Sequence, residues 1–346
     1  MFNLKNKKIK KFAFSLSFFI FFFTAHINAN AQMEMLPVGG MDGLLGDESG
    51  GNLAINPSPR YPEPDQEVTM NLYDAAVGSR GVRWFVDGIE QTESQNQRSI
   101  TINSGSLGQK TTVQALVETF IGETLNVSYE IKPIIIDIII EADTTTPAFY
   151  KGRPLPGNGS EVKAIALVQT NSSGIIDNPN RYIYHWRLNR NTIGRGFGLE
   201  ESVVNFSSQY RQSVSLHLSV RDQSTGQTVG EKTISVPFVE PKLYFYEFNP
   251  LRGLSENVLP NPLNLIGDEI TLRAEPYYLS NSTMQQQDNV LKEWRINNQV
   301  VNTAESNPME ITLRREGGSG RFNIGFHIRN LSDIIQGVRD SITITF

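Results

Sequence analysis

All three tryptophans of the chain stand in one local phrase: Trp84 opens WFVDG, Trp186 opens WRLNR and Trp294 opens WRINN. The steps between them are 102 and 108 residues, so the chain reads as one domain written three times. In each copy the Trp alternates with apolar residues ahead of a polar turn: Val82, Trp84, Val86; then Tyr184, Trp186, Leu188; then Trp294, Ile296. Period two is the pattern of a half-buried strand. One such Trp per copy places each indole in a core between sheets rather than on a ligand platform.

The remaining periodic segments are strands as well. In the first copy they run Glu67 to Leu72, Val82 to Val86, Ser99 to Ile102, Thr111 to Val117 and Leu125 to Ile131, with Asp87-Gly88, Gly105, Gly108 and Gly122 in the turns. The second copy repeats the order with Val162 to Leu167, Tyr182 to Leu188, Ser202 to Phe206, Ser213 to Val220 and Thr233 to Val236. The third has Glu269 to Ala274, Leu291 to Ile296, Glu310 to Leu313, Arg321 to Ile328 and Ser341 to Phe346. No helical period competes. The expected fold is therefore all-β, three tandem immunoglobulin-like sandwiches over residues 56–133, 134–240 and 241–346. The junctions KPIII and EPKLY are short and contain Pro133 and Pro241, which predicts stiff coupling between neighbours.

Ahead of the repeats, lysines at positions 5, 7, 8, 10 and 11, an apolar stretch from Phe12 to Thr24 and the segment Ala29-Asn30-Ala31 form the layout of a signal peptide, residues 1–31. The apolar stretch is shorter than a spanning helix needs, so a membrane contact would be made only through this segment if it stays uncleaved. Residues 32–55 are Gly-rich and read as a flexible tether, with Met33, Met35, Leu36 and Met41 as a weaker docking-peptide reading. Prolines at 57, 59, 62 and 64 suit a linker or an edge strand. Cleavage would remove five of 31 basic side chains and none of the 36 acidic ones, leaving a net charge of −10. That balance argues against nucleic-acid binding. An exported chain without a single Cys points to a bacterial envelope or exterior rather than a disulfide scaffold.

The chain lacks GxSxG, HExxH, the phosphate loop, GxGxxG after a strand and the EF-hand spacing, so it offers no catalytic or cofactor signature. His185, His217 and His327 fall out of phase with the apolar strand positions and are expected to face solvent, each on a different domain. Asp137, Glu141, Asp143 and Glu247 lie just past domain junctions and are weak calcium candidates. The competing reading makes these acids turn caps. Phe85, Tyr277 and Tyr278 are the candidates for exposed aromatic ligand contact.

The phrases EADTTTPAFYKGRPLP, YEFNPLRG with the later AEPYYLS, and the WxVDG-type strands cover most of residues 55–346. Through them the chain resembles a group of exported proteins of ultra-small candidate-phylum bacteria that carry tandem Ig-like or PKD-like domains. It departs from their pattern at Phe248-Asn249, where an acidic-polar pair is commoner, and in lacking a clear tyrosine corner. The resemblance implies an extracytoplasmic protein of three sandwiches and no established activity. The functional expectation is a non-catalytic rod at the cell surface or in the envelope, for protein interaction, adhesion or pilus and envelope structure, without cofactor. The alternative is a carbohydrate-binding envelope protein.

Overall fold

The computed structural model describes residues 53–74, 79–207, 213–285, 289–303, 306–333 and 336–346. The signal-peptide segment, the methionines of the tether reading and most of residues 32–55 lie outside them. Pairing starts inside the segment expected as a tether, because Leu53–Ser58 forms the first strand, β1.

The first sandwich sets β1, β2 (Glu67–Asp74) and β5 (Ser99–Asn103) against β4 (Ile89–Glu90), β3 (Ser79–Val86), β6 (Thr111–Thr119) and β7 (Thr124–Ile131), in the orders β1-β2-β5 and β4-β3-β6-β7. The chain thus changes sheet after β2, after β4 and again after β5, the Greek-key path of an immunoglobulin-like domain. The second sandwich repeats the path. Its sheets are β12 (Val203–Ser207), β9 (Glu161–Gln169) and β8 (Ile135–Ala142), opposite β11 (Asn191–Phe197), β10 (Tyr182–Leu188), β13 (Val214–Asp222) and β14 (Thr228–Val236). In the third, β16 (Gly253–Val258), β15 (Lys242–Asn249), β18 (Glu269–Tyr277) and β21 (Glu310–Arg314) face a five-stranded sheet. That sheet is ordered β17 (Leu263–Asn264), β23 (Gly337–Thr345), β22 (Arg321–Asn330), β19 (Val290–Ile296) and β20 (Gln299–Val301). Among the described residues the helical elements are short: α1 (Asn281–Gln285) and single 3-10 turns at Thr92–Ser94 and Pro179–Arg181. No helix among the described residues is long and apolar enough to cross a membrane.

Each sandwich closes on its tryptophan. Trp84, Trp186 and Trp294 are at most 1% exposed, and each sits in a separate apolar cluster drawn from both sheets. Burying roughly 200 Å² of indole stabilises by about 5 kcal/mol. The ring nitrogen would forfeit part of that if left dry and unpaired. It is paired in all three copies: Trp84 donates to Gln97 O at 2.9 Å, Trp186 to Glu201 O at 2.9 Å and Trp294 to Pro308 O at 3.1 Å. Each acceptor lies two residues before the strand that returns to the opposite sheet, β5, β12 or β21.

Three residues beyond each Trp, the polar turn residue makes a second tie. Asp87, Asn189 and Asn297 hold φ of 48°, 54° and 48°, a left-handed conformation that Asp and Asn tolerate better than most residues. Their side-chain oxygens accept from Thr112 N at 2.8 Å, Ser215 N at 3.0 Å and Asn323 N at 2.9 Å. Their own amides donate back to the carbonyls of the same three residues. The recurring phrase therefore encodes a double staple: the indole fixes the entry to one sheet, and the turn residue fixes the start of the next long strand in the other.

Candidate functional site

Two built junctions join the three sandwiches. At the first, Gly108 N donates to Pro133 O at 2.9 Å, and a Cβ on Gly108, whose φ is +75°, would lie 2.2 Å from Thr170 O. Half-buried Tyr61 reaches Thr228, and Lys232 pairs with Glu63. At the second, the long 143–160 loop between β8 and β9 lies against the third sandwich. Thr145 N donates to Leu279 O and Tyr278 N to Thr145 O, both at 2.8 Å, while Gln336 Nε2 donates to Gly159 O at 2.9 Å. A Cβ on Gly157 would sit 1.9 Å from Tyr278 O, so only glycine admits this approach of two backbones.

Aromatic rings seal the second junction. Tyr150 packs edge-on against Tyr277, Phe149 against Tyr246, and the hydroxyls pair as Tyr150 with Tyr278 at 2.9 Å and Tyr246 with Tyr277 at 2.6 Å. Burial first, then the Tyr150 hydroxyl, pushes Tyr278 up to about 12. Tyr277 is 7% exposed and Tyr278 is half-buried. Neither is the open aromatic contact expected from sequence, because a loop of the neighbouring sandwich covers them. Phe85 is half-buried on the outer face of β3, with the Arg83 guanidinium 5.9 Å from its ring centre.

The carboxylates read as calcium candidates are spread over separate partners. Glu141 pairs with Lys163 at 3.5 Å on the exposed face of β8 and β9. Asp143 accepts from Asn281 Nδ2 at 2.7 Å, which fastens α1 to the junction. Asp137 and Glu247 are exposed on β8 and β15. Among the described residues no three His, Cys, Asp or Glu side chains are grouped to hold a metal ion.

The histidines are differently placed from expectation. His185 and His217 belong to one sandwich and to adjacent strands, since β10 and β13 pair with Arg187 opposite His217 and His185 opposite Ser219. Both are half-buried on the outer face of that sheet, hydrogen-bonded to Thr192 and Thr233 at 3.1 and 2.9 Å. Burial lowers both, and Arg195 and Arg187 beside His185, with Arg187 beside His217, lower them further. His327 stands on the outer face of β22 and is lowered by burial, then by Arg329 and Arg339. In an acidic chain, the outer faces of the second and third sandwiches are thus locally cationic. Sequence reading missed this grouping because the arginines meet only once cross-strand register is known.

No protein-family model matches the chain and no curated protein resembles it in sequence. Among solved structures, it is similar to fibronectin(III)-like modules of Clostridium thermocellum CbhA, at 10% identity over 54% of this chain and 94% of that one, with a TM-score of 0.27. The three N-terminal domains of the bacteriophage RB49 highly immunogenic outer capsid protein match at 10% identity over 85% and 97%, TM-score 0.25. Bacteroides ovatus SGBP-B, solved with a mixed-linkage heptasaccharide, matches at 15% identity over 88% and 69%, TM-score 0.19. Likeness of this strength adds nothing about ligand or partner; the immunoglobulin-like fold follows from sheet order and from the three cores.

Proposed function

We propose that the chain is a non-catalytic exported binding protein of the cell envelope or surface, of the tandem Ig-like kind its sequence resembles. The observation that carries this reading is the second junction, where main-chain hydrogen bonds in both directions, a glycine-only backbone approach and a ring cluster lock neighbouring sandwiches together. An enzyme needs converging groups in a cleft. A spacer or presenter needs its modules held in register, with sheet faces left open for contact. The lysine-rich N-terminus followed by an apolar stretch supports export.

Protease shaving of intact producing cells tests the reading. Release of peptides between residues 53 and 346 is the expected result. Full protection in intact cells and in cells with a permeabilised envelope, with digestion only after complete lysis, would place the chain in the cytoplasm and overturn it.

Carbohydrate binding is the second reading. It is favoured by an open depression of about 600 Å³ on the outer sheet face of the third sandwich, bordered by Glu293, Arg295, Asn298, Asn323, Arg329 and Arg339, a size that suits a small ligand.

A further inference from the structure

The depression lies over β19, β22 and β23, and its floor is a missing side chain. Gly325 pairs with Arg295 on one side and Ser341 on the other, so those two neighbours stand about 10 Å apart across it. A Cβ on Gly325 would meet Asp340 O at 3.6 Å and Ser341 Cβ at 3.7 Å, ordinary contacts. Packing does not require glycine here; what its absence of side chain does is leave the floor open. Two residues along, on the same face, His327 stands between Glu293 and Arg339, and Arg329 follows. Arg295 is held by Glu293 at 2.6 Å, whereas among the described residues no carboxylate pairs with the exposed Arg329 or Arg339.

The chemistry is mixed in a definite way. Two guanidinium forks stand ready for a planar carboxylate, and beside them Glu293 offers an acceptor, with Asn298, Asn323 and Ser341 offering both donors and acceptors. A polyphosphate would bring its charge against Glu293 and leave the hydroxyl- and amide-bearing side chains without matching donors. A nucleic acid would also lack an open Phe, Tyr or Trp face for stacking, since Phe326 points inward and is 1% exposed. A molecule that carries both a carboxylate and several hydroxyls uses every group present. We propose that this depression binds a uronate residue of an acidic polysaccharide, its carboxylate on Arg329 and Arg339 and its hydroxyls over Gly325. The acidic character of the whole chain does not prevent this. Beyond a Debye length of about 8 Å its repulsion is screened, and within that distance the arginines dominate.

The inference rests on reading the chain as a binding protein, and its test separates the two. Oligogalacturonate is titrated calorimetrically into the full chain at physiological salt, beside a neutral oligoglucoside, an acidic peptide and a DNA oligonucleotide. Selective binding of oligogalacturonate is expected, weakened about tenfold or more when Arg329→Ala and Arg339→Ala are combined and also by Gly325→Val. Arg195→Ala on the second sandwich serves as the control that leaves it unchanged. The His327 ring, followed by NMR, should titrate at higher pH in the complex, because the bound carboxylate offsets the two arginines. Gly325→Val with an unaltered unfolding midpoint and unaltered affinity would overturn the proposal, as would no binding of oligogalacturonate or stronger binding of peptide or DNA. If cell shaving still releases the chain in that event, the binding-protein reading stands without this site.

Discussion

The indole of Trp186 donates to the main-chain carbonyl of Glu201 at 2.9 Å, two residues before β12 begins, and thereby ties the core of one sheet to the entry of the other. Replacing Trp186 with Phe keeps an apolar ring but leaves a cavity and an unpaired carbonyl. The expected loss is about 2–4 kcal/mol, read from chemical denaturation. Trp84→Phe and Trp294→Phe should cost similar amounts in their own sandwiches, and a loss below about 0.5 kcal/mol in all three would remove the staple from the account of stability.

The turn residue three positions on is tested by two substitutions. Asn189→Gly keeps the left-handed backbone and removes only the bond to Ser215 N, an expected cost of about 1 kcal/mol. Asn189→Ala should cost about 1 kcal/mol more, because alanine is strained at φ 54°. Equal losses for the two variants would show that backbone conformation plays no part.

Acid should act through Asp222. Its carboxylate accepts from Ser224, then Arg181 and Thr225, and these bonds hold it at about 2 against an ordinary 3.8. A folded-state value below the unfolded one means the stabilisation is complete above about pH 4 and is lost as pH falls toward 2. Acid unfolding followed at the Trp186 indole signal should therefore begin in that window. Asp222→Asn should lower stability at neutral pH and flatten the acid response of this sandwich.

At the second junction, Gly157→Ala forces a Cβ against Tyr278 O while leaving all three tryptophan cores untouched. Hydrogen exchange should report it locally: the amides of Thr145 and Tyr278, which bond across the junction, lose protection while those of β10 and β22 keep theirs. Retained protection at Thr145 and Tyr278 would mean that the loop rearranges without opening.

Fifteen strands expected from alternation are present within a few residues at each end, because each has one face in a core and its neighbours in water. Of the strands that sequence reading passed over, β4, β17 and β20 are two or three residues long, and β11 and β16 contain glycine. In β11, Gly194 and Gly196 look like turn formers, yet a Cβ at Gly194 would lie 3.2 Å from Val204 and one at Gly196 would lie 2.5 Å from Glu201. They are glycines because another part of the chain passes close by, a cause that local pattern does not contain. Tyr277 failed as an exposed residue for the same reason: its cover, Tyr150, is more than a hundred positions away in sequence. The candidate site was the least legible part. Arg329, Arg339 and His327 are unremarkable as a sequence, and become a cationic group only through the pairing of β22 with β23.

The close backbone approaches at Gly108 and Gly157 also bear on how such an array could change over generations. Each fits one particular partner surface, Thr170 for the first and Tyr278 for the second, so a sandwich moved to another place in the order would meet a loop it was not shaped for. Although the three units descend the chain as copies of one pattern, recombination that shuffled them would have to carry the adjoining loop along. Lengthening the array by duplicating a neighbouring pair, with its junction intact, is the route that leaves those contacts unbroken.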